Sequence, residues 1–298
     1  MQFHILAAES FGVRSLATLV TTGGRRILID PGESVAPRRY GLPPHPLELE
    51  ASRAARREII AAAEVADTIV ITHYHHDHFT PEEDRPEEFS TPESARALYA
   101  GKEILAKDWR ARINRSQRVR AERFVATMGR EARPADGRAF GAIRFSPAVP
   151  HGAAGSAQGW VVMVVIEGDD GRRLVHASDI QLLDPGTVDR LLAYEPDAVI
   201  VSGPALYLPQ VARTLGGTAS AATERIARTV PLLVIDHHYL RDLGALDRVA
   251  ALDRIAGEHG GRVTTAAGWM AREPQLLEAE RARLYGDTAE QHRLPRRR

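Results

Sequence analysis

The run Ile69-Val70-Ile71-Thr72-His73-Tyr74-His75-His76-Asp77-His78 sets four metal-type ligands, His73, His75, Asp77 and His78, within six residues. An apolar strand delivers the chain to its end, where His73 and His75, two apart in extended backbone, point the same way and can share one ion. Asp77 and His78 follow as the chain turns, so their side chains can address a second ion beside the first. A polar loop with chance histidines is the bland alternative. Without a metal, however, clustered imidazoles cost desolvation and repel one another when protonated. His76 occupies a spacer position and reads as a packing neighbour of the ligands. The chain contains no cysteine, which removes disulfides, thiolate nucleophiles, iron–sulfur clusters and every Cys-containing zinc site, so any metal sits on His and carboxylates. An all-N/O donor set fits zinc first and also suits iron or manganese.

The chain of 298 residues is 44% apolar and 26% charged, with 39 bases balancing 39 acids. This composition is that of an ordinary globular protein with a large core, and it excludes disordered, collagen-like and fibrous classes. No overall charge advertises nucleic acid or a membrane surface. The longest apolar run, Trp160 to Ile166, is far short of the roughly 20 residues of a membrane span. The first ten residues lack the basic start and apolar length of a signal peptide, so a cytoplasmic location is expected.

Phe3 to Ala7, Leu16 to Thr21 and Ile27 to Ile29 read as strands, the last two joined by a Gly23-Gly24 hairpin turn. Pro46 to Ala63 has helical spacing and feeds the strand Thr68 to Thr72. Thr80-Pro81-Glu82-Glu83 and Thr91-Pro92 carry the residues of helix starts. A short strand is expected at Ile104-Leu105 and a helix over Trp109 to Met128. Ala142 to Phe145, Val161 to Ile166, Leu174 to His176, Ala198 to Ser202 and Leu232 to Ile235 read as strands. Helices are expected at Thr187 to Leu192, Thr218 to Arg228, Ala245 to Glu258 and Gln275 to Leu284. The tail Arg293 to Arg298 is basic and reads as frayed.

Other residues carry weaker signals. His45, in the stiff loop Leu42-Pro43-Pro44-His45-Pro46, could hold position near a substrate or simply mark a helix entry. His176 reads as a core histidine. Between Arg96 and Arg133 eleven bases face four acids, and this excess could bind phosphate or be a solvated face neutralised by the acids of Glu82 to Glu93. Ser116 and Gln117 interrupt the apolar stripe there, which suits a helix showing polar atoms to a cleft.

His73-x-His75-x-Asp77-His78 after an apolar strand resembles the signature of the metallo-β-lactamase superfamily. Further stretches follow that family's order: Ile27 to Gly32, Pro150-His151-Gly152, Ala177-Ser178-Asp179 and Val234-Ile235-Asp236-His237-His238. Gly12 to Thr18, Tyr40 to Glu48 and Asn114 to Gln117 are similar, more narrowly, to an archaeal-type family of predicted metal-dependent hydrolases within it. The resemblance covers about residues 3–270. It implies an α/β, four-layer αββα sandwich as one domain over residues 1–298, with a helical, locally basic insertion at about 81–140.

Carried over by the resemblance, His73, His75 and His151 would bind one metal, Asp77, His78 and a terminal His the other, and Asp179 would bridge them. In the first motif one residue separates strand and His73. Asp236 likewise separates Leu233–Ile235 from His237, which favours His237 as ligand and leaves His238 facing the metals or substrate, with the reverse assignment open. Arg14 lies in the hairpin region that borders the cleft in this fold and could clamp an anion. Two divalent ions, zinc or else iron or manganese, would sit about 3.5 to 4 Å apart and lower the pKa of a shared water toward roughly 7. The implied activity is hydrolysis by a metal-bridging hydroxide of a phosphodiester or other ester-type bond, with Asp77 a candidate for proton transfer. The expected partner is a small molecule that carries phosphate; nucleic acid stays open, a membrane is not expected, and the oligomeric state is not legible. A di-iron redox enzyme and a non-catalytic metal-binding protein are the alternatives. Redox members of the fold carry Glu where this chain has His75, and they add a flavin domain.

Overall fold

Alternating apolar residues put two sheets face to face and leave each with a second apolar face for helices. The computed structural model describes residues 1–85, 88–128 and 132–286. The first half runs β1 (Gln2–Ile5), β2 (Thr18–Thr22), β3 (Arg25–Ile29), α1 (Pro46–Val65), β4 (Thr68–Ile71), α2 (Pro92–Tyr99), β5 (Glu103–Ala106), α3 (Arg115–Met128) and β6 (Ala132–Pro134). The second half runs β7 (Ala139–Phe140), β8 (Ile143–Phe145), β9 (Val149–Pro150), β10 (Trp160–Val161), β11 (Val164–Glu167), β12 (Arg173–Ala177), α4 (Pro185–Leu192), β13 (Ala198–Val201), α5 (Pro209–Thr229) and β14 (Leu232–Ile235). A 3-10 turn (His237–Leu240), α6 (Ala245–Gly257), β15 (Arg262–Thr264), α7 (Ala266–Trp269) and α8 (Leu277–Leu284) complete it.

One sheet has the order β1-β2-β3-β4-β5-β6 and the other β15-β14-β13-β12-β11-β8-β7. In each, the run that includes the strands leading to the His and Asp motifs, β3 to β6 and β12 to β15, is parallel. Three apolar clusters define the layers. Ile27, Ile29, Val70 and Leu105 of the first sheet meet Val164, Ile166, Leu174, Ile200 and Val234 of the second. Their strand neighbours face outward: Leu28, Ile69 and Ile104 pack on Ile59 of α1, Leu98 of α2 and Phe124 of α3. Val175, Val199 and Leu233 pack on Leu191 of α4, Ile226 of α5 and Leu252 of α6. The period of two along each strand therefore produces the αββα sandwich.

Four sequence expectations change. Residues 81–140 are not a helical insertion, because β5 and β6 complete the first sheet and β7 joins the second. Thr80 starts no helix: its hydroxyl donates to Pro31 O at 2.7 Å and its N–H donates to Tyr99 Oη at 2.9 Å, which ties the loop to the sheet end. The run Val161 to Ile166 is divided between β10 and β11. The helix expected from Trp109 begins at Arg115. His292 and the tail Arg293–Arg298 lie outside the described residues.

The C-terminal ends of β3, β4, β12 and β14 open at one edge, and the β9–β10 hairpin joins them there, held by His151 N–H donating to Gly159 O at 2.9 Å. This is where α/β sheets usually bind ligands. The approach of β3 to the motif loop leaves no room for a side chain at Gly32, where a Cβ would lie 2.3 Å from Phe79 N and 2.7 Å from His76 O. Gly32→Ala should therefore lower stability by about 2 kcal/mol and reduce bound metal. Gly216→Ala on α5, where a Cβ meets nothing within 4 Å, should raise stability by roughly 0.5–1 kcal/mol. Urea midpoints and metal content check both, and a Gly32→Ala protein indistinguishable from the parent in both would refute the steric argument.

Candidate metal centre

Asp179, delivered by the end of β12, is 1% exposed and stands among five imidazoles. Its Oδ2 lies 2.9 Å from His151 Nε2, 3.3 Å from His73 Nε2 and 3.4 Å from both His78 Nε2 and His238 Nε2. Its Oδ1 lies 3.5 Å from His237 Nε2. Asp77 Oδ2 is 3.4 Å from His237 Nε2, and His75 Nδ1 is 3.1 Å from His73 Nε2. Donor atoms thus gather into His73, His75, His151 and Asp179 on one side and Asp77, His78 and His237 on the other, within 4.8 Å in each group. Asp179 also groups with His237 and His238.

Hydrogen bonds fix which ring nitrogens face inward. Thr72 Oγ1 donates to Asp30 Oδ2 at 2.7 Å, so it accepts from His73 Nδ1 at 3.1 Å and leaves His73 Nε2 as a lone pair. Asp30 Oδ2 lies 3.0 Å from His78 Nδ1 and accepts its proton. His151 Nδ1 donates to Gln158 Oε1 at 3.1 Å. His78 Nε2, His151 Nε2 and Asp179 Oδ1 are buried with no hydrogen-bond partner. Lone pairs of imidazoles and a carboxylate facing one another at such distances repel unless a cation stands between them. The donor set therefore fits divalent metal.

His237 and His238, adjacent in sequence, differ in chemistry because of Arg241. Its Nε donates to Glu9 Oε2 at 2.8 Å and its Nη1 lies 3.0 Å from His238 Nδ1. A guanidinium only donates, so His238 accepts at Nδ1 and, as a neutral ring, carries its proton at Nε2, aimed at Asp179. Arg241 Nη2 sits 3.2 and 3.3 Å from the two nitrogens of His237, spanning the ring and leaving Nε2 directed at Asp77 and Asp179. Burial and then the Arg241 charge push His237 down to about 4, while burial and His78 push His73 down to about 4, so both rings are kept neutral as ligands must be. For Asp179 burial works upward, but the surrounding histidines, His78 first, hold it well below the usual carboxylate range.

Asp30, Asp179 and His237 have φ of 49°, 56° and 52°, left-handed conformations seldom adopted outside glycine, and such strain gathers at functional sites.

Two expected site residues are elsewhere. His45 caps α1, accepting from Leu47 N–H at its Nδ1 and packing edge-on to Tyr285. It serves as the helix-entry residue of α1. Arg14 donates to both carboxylate oxygens of Glu278, at 2.6 and 2.7 Å, so its guanidinium braces α8 instead of clamping an anion. His176 is a core residue whose Nε2 donates to Leu16 O at 3.0 Å. His76 is half-buried and its ring packs near Phe79. Gln117 does serve the site: its Oε1 accepts from Tyr74 N–H and its Nε2 donates to Gln158 O, linking α3 to the His73–His75 loop and to the support of His151. Sequence reasoning missed Asp30, Gln158 and Arg241. Asp30 carried a signal in Asp30-Pro31-Gly32 at a strand end, whereas nothing along the chain marks Gln158 or Arg241.

A model of the beta-lactamase superfamily domain matches residues 25–230. A UPF0282 protein of Thermococcus gammatolerans is 44% identical over 288 residues, covering 94% of this chain and 93% of its own. The chain belongs to the UPF0282 family. A further UPF0282 protein, from Methanosarcina mazei, is 39% identical over 285 residues, covering 96% and 92% of the two chains. Among solved structures, an isothiocyanate hydrolase from Delia radicum gut bacteria is 16% identical with a TM-score of 0.48, covering 85% of this chain and 94% of its own. The UPF0282 chain thus has the metallo-β-lactamase fold, and its His and Asp clusters could hold metal. Among the described residues no helix is long and apolar enough to cross a membrane.

Beside the centre, the loop after β3 buries Glu33, whose Oε2 accepts from Ser52 Oγ at 2.6 Å. Burial pushes this carboxyl from 4.5 up to about 8. The folded state keeps the proton to about pH 8 while the unfolded chain releases it near 4.5, so stability contributed there falls as pH rises through that window. Glu33→Gln should flatten the decline in urea midpoint between pH 5 and pH 8; an unaltered pH profile would show that Glu33 does not hold a proton.

Proposed function

We propose that this UPF0282 protein is a binuclear metal-dependent hydrolase acting on a phosphodiester or other ester-type bond. The observation that carries the reading is the set of inward-facing, unpartnered donors around Asp179. His73, His75, His151 and Asp179 would hold one ion and Asp77, His78, His237 and Asp179 the other. Such a pair supplies Lewis-acid polarisation and a water acidified toward a pKa of about 7.

The protein's own groups do the rest. Asp30, Thr72 and Gln158 lock three imidazoles in the tautomer that offers Nε2 inward. Deep burial of His73, His78 and His237, each 0% exposed, keeps bulk water from competing for the ions. His75, His76 and Asp77 are only partly buried, so substrate approaches from their side. His238, with Nε2–H aimed at the centre, donates to the oxygen that gains negative charge as the ester bond breaks. Asp77 is committed as a ligand and fixes His237, which places the donor role on His238.

Metal-reconstituted protein, tested with zinc, manganese and iron(II), should release p-nitrophenol from bis(p-nitrophenyl) phosphate, and Asp77→Ala should abolish release. No release with any metal, despite two bound ions, would defeat the phosphodiesterase reading. His237→Ala should bind about one ion fewer per chain. His238→Ala should keep both ions and lose roughly 10²–10³ in kcat. Equal metal loss in the two variants, counted by elemental analysis, would reverse or void the assignment of roles.

A further inference from the structure

A cleft of about 630 Å³ opens beside the metal centre, lined by His76 of the motif, Glu83, Arg115, Ser116, Arg120 and Arg123 among others. Its wall is the first turns of α3, the segment that Gln117 ties to the His73–His75 loop. The local excess of arginine is not spread evenly here. Arg96, Lys107, Arg110 and Arg133 each meet an acid at 2.7–3.2 Å. Arg112 lies over the Trp160 ring. Within the cleft Arg123 is satisfied by Glu83 at 2.8 Å. Arg115 has no ion-pair partner among the described residues. Arg120 is half-buried and donates from Nη1 to Tyr74 O at 3.0 Å, and it forms no ion pair with an acid among the described residues. Arg85, also near His76, is committed to Glu88 in a two-pronged pair. Two guanidiniums therefore face the cleft without a direct ion pair among the described residues, and Asp77 and then Glu83 are the acids within electrostatic reach of Arg120.

We infer that this cleft is a subsite for a terminal phosphate carried by the substrate at a distance from the bond that is cleaved. The inference rests on the hydrolase reading for the cleavage itself, and not for the binding. Guanidinium forks match a phosphate monoester, which offers three oxygens and close to two negative charges. The Ser116 hydroxyl lies on the same wall. His76 adjoins the candidate ligands His75 and Asp77 in sequence and Arg120 lies within electrostatic reach of Asp77, so the cleft borders the motif loop. Arg118 belongs to the same helix but is exposed and does not line the cleft, which makes it the internal control for general charge effects.

The test compares two esters that differ only in the remote group: the p-nitrophenyl ester of thymidine 5′-phosphate, with and without a 3′-phosphate. For the parent protein the 3′-phosphate should lower KM at least tenfold. Arg115→Ala and Arg120→Ala should each erase most of that advantage, and Arg118→Ala should keep it. Arg115 is exposed, so its variant folds whatever becomes of Arg120. Equal KM for the two esters, or an advantage that survives both cleft variants, overturns the subsite. Calorimetric titration of the metal-loaded protein with thymidine 3′,5′-bisphosphate and thymidine 5′-phosphate gives a second readout that needs no turnover. A bisphosphate preference of at least tenfold that Arg115→Ala removes supports the subsite even if neither ester is cleaved, a result that would count against the hydrolase reading alone. Equal affinity for the two nucleotides overturns the subsite. A preference that Arg118→Ala also removes overturns it too, in favour of diffuse attraction to the helix.

Discussion

Five imidazoles turned toward one buried carboxylate form an arrangement that a folded chain holds only at a cost. Asp179 accepts no compensating proton at Oδ1, and His78 and His151 direct bare nitrogens at it. Desolvated acceptors facing each other repel, so the centre is stable only if other bonds over-determine it or if cations fill it. Both conditions shape the surrounding molecule. Asp30 receives Thr72 N–H at 2.8 Å and Thr72 Oγ1 at 2.7 Å while fixing His78, which welds the end of β3 to the motif loop. Gly32 is required two residues later because that weld brings backbone against backbone.

The second sheet answers with its own supports. Asp236 accepts His237 N–H at 2.7 Å and Ala266 N–H at 2.9 Å, which holds the turn after β14 in its left-handed start. Arg241 reaches from that turn to Glu9, and Glu9 is pushed up to about 7 by burial against the pull of Arg241. Outside this layer α8 acts as a brace, with Glu278 on Arg14 and Arg281 on both oxygens of Glu48 at 2.6 and 2.7 Å. Rigid support of this kind is what a metal centre needs to hold its ligands to within a fraction of an ångström. The same brace occupies the Arg14 guanidinium with Glu278.

Charge around the mouth is organised by a different principle. Five of the basic residues between Arg96 and Arg133, namely Arg96, Lys107, Arg110, Arg123 and Arg133, each meet an acid. The excess is therefore smaller in space than along the chain, and Arg115 and Arg120 carry part of it to the cleft. Pairing is a property of space, and linear counting overstates the field wherever partners lie tens of residues away.

The sequence by itself determined the layers and most of the residues that gather as candidate ligands. Apolar alternation in β4, β12, β13 and β14 set which face meets the other sheet, because a strand's side chains alternate by geometry alone. The spacing of His73, His75, Asp77 and His78 at a strand end set which residues could gather, because two-residue and turn offsets are local. The structure alone decided the chemistry of each nitrogen. His237 and His238 are neighbours of the same type, and they differ only through Arg241, folded back onto them from the turn they open. His45 and Arg14 lost their expected roles to Leu47 N–H and to Glu278, the latter 264 residues away. The segment at 81–140 contributes β5 and β6 beside α2 and α3 because β4 offers an open edge that only the assembled fold presents. Tautomers, ion-pair partners and strand neighbours depend on contacts between distant segments, and no local pattern of residue types encodes them.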